Sequence, residues 1–234
     1  SNASTPVRGG EWGRINPSSS PDFYIMKYEA SRADEADLPI SQQGVKPWNT
    51  VTQANASDAC QRLGGNYDLP TNKEWQAATG APAQSRSEAL GGNTDGWYST
   101  DKPCTRSQAS GSDSLCLTGS GPSHWVSSTG TVDMAGNLWE WTSTVINTTQ
   151  DGLRRQYGYI SAWDREQAYP DALSKHPGDS FGESLFFASN GSFVVRRGGS
   201  WTTGNGAGPY SMSLDRSPDE RQRDIGFRCV YHPS

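Results

Sequence analysis

A chain of 234 residues with 20 basic and 25 acidic side chains carries a formal net charge of −5. That balance supplies no basic stripe for nucleic acid, and no apolar run approaches the roughly 18–20 residues that cross a bilayer. With 32% hydrophobic residues, 26 glycines, 14 prolines and nine tryptophans, the composition describes one loop-rich globular domain whose tryptophans supply large burial per residue.

In chain order, residues 1–21 are rich in Ser, Pro, Gly and Asn and read as a flexible tail ahead of a single domain over 22–234. Ser1-Asn2-Ala3 reads as a scar of tag removal, in which case a native export signal has been lost with the tag. Phe23 to Glu29 has the aromatic, β-rich character of a first strand. Thr50 to Leu63 predicts a helix with Ala56, Ala59, Cys60 and Leu63 on one face, stopped by Gly64-Gly65. A second helix is marked by the capping-box pattern Thr71-Asn72-Lys73-Glu74, with Pro70 before it, Gly80 after it, and Trp75 and Ala78 facing the core.

From Gly80 to Val132 periodicity is weak, and a connection that long needs a disulfide or a bound cation to organise it. A second polar stretch runs from Trp141 to about Asn190. Phe193-Val194-Val195-Arg196 and Gly226 to Val230 then read as closing strands. The four cysteines contain no Cys-x-x-Cys pair, and the three histidines have no ligand spacing, so a zinc site is not indicated. Two disulfides in an exported, periplasmic or secreted protein fit the even, wide spacing; four buried thiols are the alternative.

Three blocks near the C-terminus carry a resemblance: Asp133-Met134-Ala135-Gly136-Asn137-Leu138-Trp139-Glu140-Trp141, Arg197-Gly198-Gly199-Ser200-Trp201 and Ile225-Gly226-Phe227-Arg228-Cys229. With Lys27-Tyr28-Glu29 and Leu69-Pro70-Thr71-x-x-Glu74-Trp75, they resemble the formylglycine-generating (sulfatase-modifying factor) family over roughly residues 23–231. The resemblance implies an α+β, C-type-lectin-like fold: two helices packed on small antiparallel sheets, rich in loops. It also implies a Cys60–Cys229 bridge from the first helix to the last strand, which leaves Cys104 and Cys116 to pair.

The same resemblance implies a structural Ca²⁺ held by the side chains of Asp133 and Glu140 and the carbonyls of Gly136 and Leu138, an oxygen set suited to that hard cation. The plainer alternative is a turn leading into a tryptophan-rich core strand. Asn93 and Asp95 are the nearest candidates for a second site, although Asx-Gly clusters ordinarily just make turns. Where the family carries its two redox cysteines this chain has Thr203 and Gly208, so neither copper nor the family's thiol chemistry is expected. No Gly-x-Ser-x-Gly elbow, phosphate-binding glycine loop or His-Glu-x-x-His helix is present.

The stretch from Trp201 to Asp224 is similar to the C-terminal region of retroelement-diversified variable proteins, which share the fold. That likeness implies a ligand-binding face built from Trp201, Thr202, Thr203, Asn205, Tyr210, Asp215 and Arg216; an ordinary solvated loop is the alternative. The expected protein is a monomeric, calcium-stabilised ligand-binding domain whose partner is a protein, peptide or glycan. Two other readings stand beside it: a thiol-independent enzyme acting on a peptide or peptide-derived substrate, and a structural cell-envelope protein.

Overall fold

The computed structural model describes residues 8–17, 20–33, 37–80, 115–120, 126–127, 129–147, 185–186, 192–203 and 208–234. Two helices and three small sheets make up its regular structure among those residues. The first strand, β1 (Trp12–Ile15), lies inside the expected tail and pairs antiparallel with β2 (Phe23–Met26), Trp12 opposite Met26. The correction has a simple cause. Ile15 is buried and the Trp12 ring packs edge-on to Tyr67, so two apolar anchors hold a segment that is otherwise polar.

Next come β3 (Ala30–Arg32) and β4 (Pro39–Ser41), paired as a two-stranded sheet. Helix α1 (Gln53–Gln61) starts at Thr52, whose hydroxyl accepts the Asn55 N–H, and buries the expected Ala56, Ala59 and Cys60. After β5 (Tyr67–Asp68), helix α2 (Asn72–Ala78) opens with the complete capping box of Thr71 and Glu74, and Trp75 and Ala78 are fully buried. The long β6 (Trp139–Asn147) follows, then β7 (Leu185–Phe186), β8 (Ser192–Gly198), β9 (Gly208–Ser213), β10 (Ile225–Gly226) and β11 (Val230–Tyr231).

The four-stranded sheet runs β1-β2-β11-β5 and the five-stranded sheet β10-β6-β8-β9-β7. The C-terminal residues therefore contribute to both, β10 joining β6 in parallel and β11 lying between β2 and β5. One core packs α1 against Trp48, Trp139, Trp141, Phe227 and the disulfide; a second gathers Phe23, Ile25, Trp75, Met134 and Val230. Gly226 must be glycine, because a Cβ would lie 2.9 Å from the Trp48 carbonyl oxygen and 2.6 Å from Leu138.

Two covalent or charged links fasten the last strand. Cys60 and Cys229 form the expected disulfide across 169 residues of sequence. Cys116 is also disulfide-bonded, and its expected partner Cys104 lies outside the described residues. His232 Nε2 meets Glu74 Oε1 at 2.6 Å while Glu74 Oε2 accepts the Thr71 N–H, so the C-terminus bonds to the same carboxylate that caps α2.

Two outcomes are expected. Replacing Cys60 and Cys229 together by Ala should lower unfolding free energy by roughly 2–5 kcal/mol in denaturant titrations, the upper end being the chain-entropy limit for so long a loop. The Glu74–His232 pair should give a pH signature. Its Glu74 hydrogen bond raises His232 against the opposing effect of burial. Burial pushes Glu74 up, but the bonds from His232 and Thr71 outweigh it and hold the carboxyl below its ordinary value. The histidine contribution is complete below its unfolded value of 6.5 and fades as pH rises through the folded one; the glutamate contribution is complete above 4.5 and fades as pH falls. The stability difference between the parent and His232→Gln should thus peak between those values.

Candidate functional site

The segment from Asp133 to Glu140 enters β6 through three left-handed residues: Asp133 at φ 59°, Gly136 at 74° and Asn137 at 58°. Asp and Asn enter that region more readily than other residues with a side chain. Backbone bonds then zip this loop to the Gly-Gly-Ser-Trp run. The Gly136 N–H donates to the Gly198 carbonyl at 3.0 Å, and the Trp201 N–H donates to the Asn137 carbonyl at 3.1 Å. Gly198 itself sits at φ +91°, where a Cβ would meet the Met134 carbonyl and the Trp75 ring at 3.2 Å.

Beneath the loop lies a buried charged centre. Glu29, Asp133, Glu140 and Arg228 are each less than 5% exposed. Arg228 Nε and Nη2 grip the two oxygens of Glu140 at 2.7 and 2.6 Å. Its remaining donors reach the carbonyls of Met26, Lys27 and Val132 at 3.0, 3.3 and 3.0 Å. Glu140 Oε2 also accepts the Trp75 indole N–H at 2.6 Å.

Glu29 accepts from Asn137 Nδ2 at 2.6 Å and from the Leu138 N–H at 3.2 Å. Asn137 Oδ1 in turn accepts the Cys116 N–H at 2.9 Å, and Asp133 Oδ2 accepts the Gly119 N–H at 2.7 Å. The centre thereby pins the 115–120 segment. Burial, with the neighbouring carboxylates Asp133 and Glu140, holds Glu29 well above the ordinary range. Burial likewise pushes Asp133 up to about 6. For Arg228, burial opposes the charged form, but Glu140 outweighs it and raises the guanidinium further.

Two of the four groups expected to hold calcium, the side chains of Asp133 and Glu140, already have protein partners. Both Glu140 oxygens are committed to Arg228 and Trp75, and Asp133 is turned to Gly119. Among the described residues no cluster of three or more His, Cys, Asp or Glu has a metal-holding arrangement. Asn93 and Asp95 lie outside the described residues.

The expected ligand face is divided. Trp201 is 8% exposed and packs with Leu115 and Leu138, so its apolar ring belongs to the interior rather than to a contact surface. Thr202 and Arg216 are exposed, and Thr203 and Asp215 half-buried. Asn205 lies outside the described residues, and Tyr210 falls on β9, described for its backbone alone. The segment expected as a loop is thus partly a strand, and Ser211, Met212 and Ser213 are buried in it.

Side chains that sequence reasoning did not single out connect these positions. Ser200 Oγ donates to Asp224 Oδ2 at 3.1 Å, Thr202 Oγ1 reaches the same oxygen at 3.4 Å, and Thr203 Oγ1 accepts the Ser200 N–H at 2.9 Å. On the other side Arg196 donates to Asp215 at 2.6 Å and to Ser213, while Arg216 lies 3.7 Å from Asp215. Arg196 lies over Trp139 and Trp141, 5.5 Å from each ring centroid. Burial lowers its pKa against the pull of Asp215 and Asp224, and among the described residues its buried Nε has no hydrogen-bond partner. The only advance signal was the Arg196-Arg197 doublet in an otherwise apolar strand.

With the fold and both centres in view, the class is an α+β, C-type-lectin-like domain. The profile of the sulfatase-modifying factor enzyme 1-like domain matches residues 5–233, and the chain belongs to that family. No curated protein matches it. Among solved structures it is similar to PvdO from Pseudomonas aeruginosa, at 16% identity and TM-score 0.48 over 94% of this chain and 90% of that one. Treponema denticola variable protein 1 has 16% identity and TM-score 0.46 over 98% and 100%. The Major Tropism Determinant I1 variant has 16% identity and TM-score 0.47 over 89% of this chain; the match spans half of that longer protein.

Asn137→Ala leaves the Cys116 N–H and one oxygen of Glu29 without their buried partners. It should lower unfolding free energy by roughly 2–4 kcal/mol in a denaturant titration. A change below about 0.5 kcal/mol would mean water satisfies both groups.

Proposed function

We propose that the chain is an extracytoplasmic ligand-binding domain of the sulfatase-modifying factor superfamily that does not perform the thiol and copper chemistry. The observation that carries this reading is Thr203. It occupies the expected place of a redox cysteine, and its hydroxyl is tied into the Ser200 turn beside Asp224. A threonine offers neither a thiolate ligand nor a redox couple. The Cys60–Cys229 disulfide supports export to an oxidising compartment. The expected calcium at Asp133, Gly136, Leu138 and Glu140 is no part of this proposal, since Arg228 already holds both Glu140 oxygens.

The binding surface in this reading comprises Thr202, Thr203 and Asp224 together with Asp215 and Arg216. Exposed hydroxyls beside paired charges suit a polar protein, peptide or glycan ligand. One observation favours a second reading, an enzyme acting on a peptide-derived substrate by a thiol-independent route. The unpartnered Nε of buried Arg196, between two aspartates, is the kind of unsatisfied group that functional sites retain.

The test uses a displayed random-peptide library and a glycan array as probes. Thr202→Ala and Arg216→Ala, both at exposed positions, should leave the melting temperature within about 2 °C of the parent and weaken selected binders about tenfold or more. Binders that ignore both substitutions would remove this surface from the proposal. Incubation with a Cys-x-Pro-x-Arg peptide, with and without copper, should yield no aldehyde by mass spectrometry; turnover above a no-protein control would restore the family chemistry.

A further inference from the structure

The family resemblance calls for a cation at the Asp133–Glu140 loop, and the chain places one there itself. We propose that Arg228 is the resident cation of this loop, so that the domain folds and holds its shape without calcium.

Arg228 has five N–H donors, and five acceptors receive them: both oxygens of Glu140 and the carbonyls of Met26, Lys27 and Val132. Those acceptors come from the end of β2, from the entry to the loop and from β6. A bound metal would gather oxygens from separate chain segments in the same manner. The side-on fork to Glu140 matches carboxylate geometry in a way a point charge cannot.

A second cation at Glu140 would have to share its oxygens with Arg228. Calcium coordinated by Glu140 would sit roughly 2.4 Å from a carboxylate oxygen. That oxygen is itself 2.6–2.7 Å from a guanidinium nitrogen. The ion would lie within about 5 Å of a buried positive charge, in a medium that screens poorly. Freeing Glu140 for the metal would strand Arg228, which is fully buried. The other acids have donors of their own. Glu29 faces the donors of Asn137 and Leu138, and Asp133 faces the Gly119 N–H.

The experiment measures bound calcium by elemental analysis of the whole, unmodified chain, together with melting curves in excess Ca²⁺ and in excess EGTA. We expect far less than one equivalent of calcium and superimposable curves. One equivalent of calcium, with a melting temperature that drops in EGTA, would overturn the proposal whatever the variants do. Arg228→Lys, which keeps the charge but loses the fork, should melt about 10 °C or more below the parent, by the same margin in Ca²⁺ and EGTA. Should that protein fail to fold, Trp75→Phe weakens the same Glu140 contact more gently. Its loss of stability is expected to be indifferent to Ca²⁺, and rescue of either variant by Ca²⁺ would count against the proposal.

Discussion

One buried ion pair, Arg228 with Glu140, ties the C-terminal strands to β6 and to the end of β2. Removing two charges from water is expensive, and their attraction repays that only when geometry is good and the remaining donors are satisfied. Here the guanidinium reaches five acceptors and the carboxylate takes a further bond from Trp75. The partners are 88 residues apart in sequence, so the pair forms only when β6 and the C-terminal strands have met. A chain folded in any other register would leave two costly charges in the interior.

The alternation of β-strands carries that constraint outward. Glu140 stands opposite Arg197, and Trp141 opposite Arg196, in the β6–β8 register. Successive side chains on a strand point to opposite faces. Glu140 and Arg197 therefore share one face, where Arg197 lies over the Trp75 ring and bonds Gln76. Arg196 shares the other with Trp139 and Trp141 and reaches Asp215. Two adjacent arginines do different work: one fastens the sheet to α2, the other supports the Thr202–Arg216 surface.

How far the sequence disclosed this depends on the range of the interaction. The capping box of α2 and the apolar face of α1 are local patterns, and both appear where they were expected. The Cys60–Cys229 bridge followed from the family frame, not from spacing. β1 was missed because Trp12 and Ile15 are isolated apolar residues in a polar stretch and acquire meaning only opposite β2. Trp201 was misplaced because a tryptophan after Gly-Gly-Ser suits a contact surface as well as a core, and only Leu115 and Leu138 decide between them. Glu140 was ambiguous for a sharper reason. A carboxylate at the head of a tryptophan strand serves a metal or an arginine equally well, and the arginine is distant in sequence.

The charged centre and the outer surface are held by different bonds. The run containing Gly198 and Trp201 is held to the loop beneath it by backbone bonds to Gly136 and Asn137, which depend little on the side chains beyond. Thr203 contributes a single hydroxyl to the Ser200 turn. Arg216 makes its ion pairs at a half-exposed position, where such contacts contribute little to stability. Substitution of exposed Arg216 changes the surface without touching the charged centre that fixes the strands. Exposed Arg216 can therefore vary in a way Glu140, Arg228 and Asn137 cannot, because loss of any of the latter leaves a buried partner unsatisfied.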